Sequence, residues 1–176
     1  MKREITDAQA LEELVSELGF LPFFANEIAG FSVEEHTPTA LWFSDTADGP
    51  WEWKGPVADR KACVYGKLFS NKAGFVSLEW FPDLANYRRD GSDFDAQYEE
   101  GFVGRKEKQL YDTIVAYGAL STRRLRSYCD YRKGGQKGFD TVIARLQMQT
   151  YVHVADFEYM VDRHGRPYGW GMACYS

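Results

Sequence analysis

The chain has 176 residues, 44% of them apolar and 16% aromatic, enough to bury one substantial core or two small ones sharing an interface, which excludes a disordered protein. Its net charge of −5 is unevenly spread: residues 1–104 carry nine basic and 19 acidic side chains, a balance of −10, whereas residues 105–176 carry 12 and seven, a balance of +5. No apolar run reaches the roughly 18 residues needed to cross a bilayer, and Met1-Lys2-Arg3-Glu4 lacks the apolar core of a signal peptide, so a cytoplasmic protein without membrane contact is expected.

Thr6-Asp7-Ala8-Gln9 reads as a capping box with the threonine hydroxyl at the N-cap, and Leu11, Leu14, Val15 and Leu18 follow as one helical face that Gly19 ends. Phe20-Leu21-Pro22-Phe23-Phe24 is apolar, and its proline predicts a turn against the core. Ala40-Leu41-Trp42-Phe43, bounded by Pro38 and Ser44-Asp45, predicts a strand. In Gly49-Pro50-Trp51-Glu52-Trp53-Lys54-Gly55-Pro56, two tryptophans lie between two Gly/Pro pairs, which predicts a rigid loop. Either the rings plug a small core or they form a stacking platform for a flat ligand; with Trp80 and Tyr87 they would line the pocket of a small-molecule sensor.

Cys63–Phe69 and Phe75–Trp80 read as two strands joined by a hairpin loop over 70–74. A short helix is expected around Asp83–Tyr87, and Asp90-Gly91-Ser92-Asp93-Phe94-Asp95 is a carboxylate-rich turn without the remaining spacing of a calcium loop. Tyr98 and Phe102, at helical spacing, predict that the connection over 96–105 packs. Cys63, Cys129 and Cys174 are odd in number and far apart, which favours reduced core thiols. Neither zinc-ligand spacing, a nucleophile motif nor a phosphate-binding glycine loop occurs, so no metal and no cofactor are expected.

The last third is the most legible. Leu110, Ile114 and Tyr117 mark a helix ended by Gly118. Ser121 is the next N-cap, before a second apolar face of Leu125, Tyr128 and Cys129. After Lys133-Gly134-Gly135-Gln136-Lys137, a third helix is predicted over 139–146 with Phe139, Val142, Ile143 and Leu146 inward and Lys137, Asp140, Thr141 and Arg145 outward. The period then becomes two: Val152, Val154 and Phe157 precede the turn Asp162-Arg163-His164-Gly165, and Tyr168, Trp170 and Met172 follow it. Three helices and a trailing hairpin predict a winged helix, so the expected fold is α+β: an acidic, aromatic-rich α/β half (1–104) packed on a C-terminal winged helix-turn-helix (105–176). Arg123, Arg124, Arg126, Lys133, Lys137 and Arg145, with Arg163 and Arg166 at the wing tip, are candidates to follow the backbone of double-stranded DNA. The same fold also serves as a protein-interaction module.

At the end of the third helix stands Arg145-Leu146-Gln147-Met148-Gln149-Thr150-Tyr151-Val152. This resembles the Gln-hydrophobic-Gln motif of the AlkZ-type alkylpurine DNA glycosylases, which are built from winged helices and carry the motif at a helix-to-strand junction. The Trp-Glu-Trp-Lys-Gly and Tyr-Gly-Lys stretches resemble a set of short bacterial AlkZ-related proteins. The glycosylases are longer, with several tandem winged helices where this chain is expected to hold one. What the resemblance implies is DNA repair chemistry: hydrolysis of the N-glycosidic bond of a cationic alkylated purine. That base leaves without a general acid, and the carbonyl oxygens of Gln147 and Gln149 would orient water and stabilise an oxocarbenium-like sugar. Alternate residues of a strand share a side, so the two carboxamides are expected to converge.

Overall fold

The computed structural model describes residues 3–44 and 46–176; Met1, Lys2 and Asp45, and the side chains of Pro167, Tyr168 and Trp170, lie outside the described residues, and with them the expected facing of Tyr168 and Trp170. The chain is a mixed α/β protein built on a six-stranded antiparallel sheet of order β1-β3-β2-β5-β6-β4.

The first helix, α1 (Ala8–Leu18), buries Leu11, Leu14 and Val15 as its spacing predicts. Its N-cap is Asp7 rather than Thr6: the Asp7 carboxylate accepts from the Ala10 amide at 2.8 Å, and a charged acceptor favours the positive end of the helix dipole. Phe20–Pro22 is strand β1, not a turn, because an edge strand tolerates a proline whose missing N–H has no ladder partner to disappoint. A short helix α2 (Val33–His36) follows, then a 3₁₀ turn (Thr39–Leu41) where a strand was expected. Trp42 of that segment is buried while Phe43 is 89% exposed.

The expected tryptophan loop is helix α3 (Pro50–Asp59). Gly49 is its N-cap, Pro50 occupies the first turn where no N–H is needed, and the Glu52 carboxylate returns to the Gly49 amide at 2.9 Å. Strands β2 (Cys63–Phe69) and β3 (Lys72–Ser77) are joined by only Ser70-Asn71, both at positive φ, as the twist of a two-residue hairpin demands. Helices α4 (Phe81–Arg89) and α5 (Phe94–Glu99) lead into the last third; Phe94 and Val103 are buried there, whereas Phe102 is exposed.

The C-terminal order is α6 (Arg105–Tyr117), β4 (Leu120–Ser121), α7 (Thr122–Tyr128), α8 (Phe139–Met148), β5 (Val154–Val161) and β6 (Pro167–Tyr175). The short β4 pairs with the far end of β6, so the hairpin folds back on the helices. The inward residues predicted for α8 are all buried. A bulge between Val154 and Asp156 adds one residue to β5, which moves Phe157 onto the buried side and explains the break in its alternation. Tyr117 and Tyr128, predicted inward, instead stand outside as a stacked pair.

Two large buried clusters result. One gathers α1, β1, α3, β2 and β3 around Phe23, Phe75 and Trp53; the other gathers α6, α7 and α8 around Leu110, Leu125 and Leu146. The sheet runs through both, but β2 and β5 meet at one pair, Tyr65 with Val154. Gly74, on β3, has no room for a side chain: a Cβ there would stand 2.5 Å from the Phe69 ring and 2.9 Å from the Leu21 carbonyl oxygen. Gly74→Ala is expected to lower the unfolding free energy by about 2 kcal/mol, read as a fall in the urea midpoint. Burial pushes the Cys63 thiol up to about 12, so at pH 8.5 it is expected to resist thiol reagents in the native state and to react once urea unfolds the chain.

Candidate nucleic-acid interface

The cations proposed from the sequence divide into two sets. Arg126 is engaged: its Nη2 donates to both Asp140 oxygens at 2.9 and 3.0 Å, and its guanidinium lies 4.5 Å from the Phe139 ring centre. Arg145 pairs with the buried Glu107 carboxylate at 2.5 Å, and Arg166 with Asp162 at 3.0 Å. Arg123, Arg124, Lys133, Lys137 and Arg163 are exposed and have no carboxylate partner among the described residues. The neighbouring Arg132, not among the cations expected from the sequence, belongs with them. Its signal was available, since it follows the second helix in the same basic run.

These groups share residues 105–176 with the exposed side of α8. Lys137, Asp140, Thr141 and Arg145 are all exposed, as predicted, while the other side and the C-terminal turn of α8 are covered. Arg123 connects this region to the hairpin through a contact with the Met160 sulfur at 4.0 Å. Lys108–Asp95 is the one ion pair among the described residues that joins the first 104 residues to the rest. Among the described residues, the acidic half therefore forms no close ion pairs with the exposed cations.

The Gln147–Gln149 segment has a different geometry from the one expected. Gln147 lies inside α8 and Gln149 is its C-cap, so the pair is helical rather than strand-like. Positions two apart on a helix point roughly 200° apart, and the carboxamides diverge. Gln147 is 1% exposed and both ends of its amide are used: Oε1 accepts from the Lys67 amide at 2.9 Å, and Nε2 donates to the Ile143 carbonyl at 3.1 Å. Gln149 is half-buried, and its Oε1 has no hydrogen-bond partner among the described residues.

The surroundings of this segment are cationic and tightly bonded. Arg88 donates to the Met148 carbonyl at 2.8 Å and to the Leu68 carbonyl, and burial lowers its affinity for a proton. Arg89 donates to the Thr150 hydroxyl at 3.2 Å and to the Thr150 carbonyl, and packs 4.6 Å from the Tyr151 ring centre. Neither Arg88 nor Arg89 is legible from the sequence, because nothing local links α4 to residues some 60 positions away.

The four aromatic candidates are not all gathered in one place. Trp53 is buried in the first cluster and Trp51 packs at its edge, with its ring centre 5.1 Å from that of Phe23. Lys54 lies 5.0 Å from the Trp51 ring centre and 5.1 Å from that of Phe157, and burial makes its ammonium easier to deprotonate. Trp80 instead packs against Phe20 and over Gly19, and Tyr87 is 85% exposed on α4.

The two glutamines are thus unequal. Gln147→Ala, which orphans the Lys67 amide and leaves a void, is expected to cost about 2–3 kcal/mol in urea unfolding, and Gln149→Ala less than about 0.5 kcal/mol.

No curated protein and no solved structure matches the chain. A family model described as AlkZ related matches residues 5–176, nearly the whole length over which these elements are laid out. The chain therefore belongs to the AlkZ-related family.

Proposed function

We propose that residues 105–176 form a winged helix that binds double-stranded DNA, and that the protein reads DNA, alkylated bases included, rather than hydrolysing it. The observation that carries this reading is the set of exposed cations without carboxylate partners among the described residues, from α7, the loop before α8 and the hairpin turn, within a stretch of net charge +5. Family membership supports it, and so does the order helix, short strand, helix, helix, hairpin. The residues of α8 left open lie along one side from its N-terminus, the part of a recognition helix that meets base edges.

Hydrolysis by the paired carboxamides is not part of this reading. Orienting a water requires an amide with a free end facing an open site, and Gln147 has neither. Its role here is to hold α8 against β2.

Duplex binding, followed by anisotropy with a labelled oligonucleotide, is expected to weaken by roughly a thousand-fold between 50 and 200 mM salt if about six phosphates are neutralised. Lys137→Glu with Arg163→Glu should weaken it further at every salt concentration. Affinity indifferent to salt would rule out phosphate-led recognition. No N7- or N3-methylpurine should be released from alkylated DNA; release that vanishes in Gln149→Ala would overturn the non-hydrolytic part.

A further inference from the structure

One part of the basic surface carries features that a duplex alone would leave unused. A recess of about 390 Å³ beside α7 is lined by Arg123, Arg124, Ser127, Tyr128 and Arg132. Four of these follow from helical spacing: positions 123 and 127, and 124 and 128, are one turn apart and share a side. The three guanidinium groups have no carboxylate partner among the described residues, so they repel one another across the recess. An anion placed between them removes that repulsion.

The recess continues into an aromatic surface. Tyr128, one of its walls, stacks on Tyr117 with ring centres 4.9 Å apart and planes 23° from parallel. Both rings are largely exposed, at 54% and 65%. Neither belongs to a buried cluster, so the pair stacks at the surface and not inside a core. A duplex offers such a stack little, because its bases are already stacked on each other. An unpaired base has a free face.

We propose that this face of α7 binds an unpaired nucleotide, with the Tyr117–Tyr128 stack taking the base and Arg123, Arg124 and Arg132 taking the flanking phosphates. The inference rests on the nucleic-acid reading above and adds to it a site for single-stranded or extruded nucleotides. Charge favours a nucleic acid over an acidic polypeptide only together with the rings, which supply the part of the contact that carboxylates cannot use.

The test uses the intact chain in anisotropy titrations against four probes: a labelled oligothymidine strand, an abasic strand of the same length, a blunt duplex, and polyglutamate as competitor. The base-bearing strand should bind more tightly than the abasic one. Tyr128→Ala should weaken the base-bearing strand roughly ten-fold and leave the abasic strand unchanged, whereas Arg124→Glu should weaken both. Both side chains are exposed, and an unchanged melting temperature would confirm that each variant folds. Equal binding of the two strands, an unaffected Tyr128→Ala, or displacement by polyglutamate as readily as by the abasic strand would overturn the proposal. Duplex bound without the single strand overturns this site and leaves the duplex reading standing. Single strand bound without duplex does the reverse, and binding of neither removes both.

Discussion

The hydrogen bond from the Lys67 amide to the Gln147 carboxamide is the constraint on which the relation between the helices and the sheet depends. Strand β2 has an irregular register against β3 beyond Gly66 and meets β5 at Tyr65 alone, so it leaves the sheet's interior with ladder groups unmatched. A side chain from α8 fills that place. Gly66 makes the approach possible, since a Cβ there would stand 3.1 Å from the Gln147 oxygen. Arg88 then joins the Leu68 and Met148 carbonyls, and Arg89 holds Thr150, so α4, β2 and the end of α8 are bonded as one body. A buried amide with both ends satisfied is rigid, and losing one partner costs more than making the bond contributes.

The end of α8 also explains how a motif can be legible while its geometry is not. The Tyr151 amide returns to the Leu146 carbonyl at 3.0 Å and the Thr150 amide to that of Gln147 at 2.9 Å, the bond pattern of a Schellman ending. Its left-handed position is taken by Thr150, at φ 65°, where glycine or asparagine is usual. Without that signal the helix reads as stopping at Leu146, and Gln147 and Gln149 fall onto an imagined strand. The two Arg89 bonds to Thr150 help hold the strained residue in place.

The helices and hairpin of the last third were readable because their apolar spacing is regular and their breaks are glycines. The antiparallel pair β2 and β3 was readable for the same reason, although its loop proved shorter. What misled was local chemistry with two meanings. Pro50 and Pro22 each suggest interruption, yet one starts a helix and the other sits on a sheet edge. Tyr117 and Tyr128 fit an apolar stripe by spacing, but an aromatic ring with a hydroxyl can stack outside a core as readily as fill it. The bonds from Arg88 to Met148, from Arg89 to Thr150 and from the Lys67 amide to Gln147 span 60 to 80 positions, and no periodicity encodes them.

The brevity of the junction between β2 and β5 leaves the outer margin of β5 without a neighbouring strand along most of its course. Bare margins of this kind recruit extended segments from other molecules. Here the kink at Val154–Asp156 bends the strand, and the negative side chains of Asp156 and Glu158 stand exposed along it. Charge along an open margin opposes the addition of a further strand, so these two carboxylates give β5 a feature that protected sheet edges share.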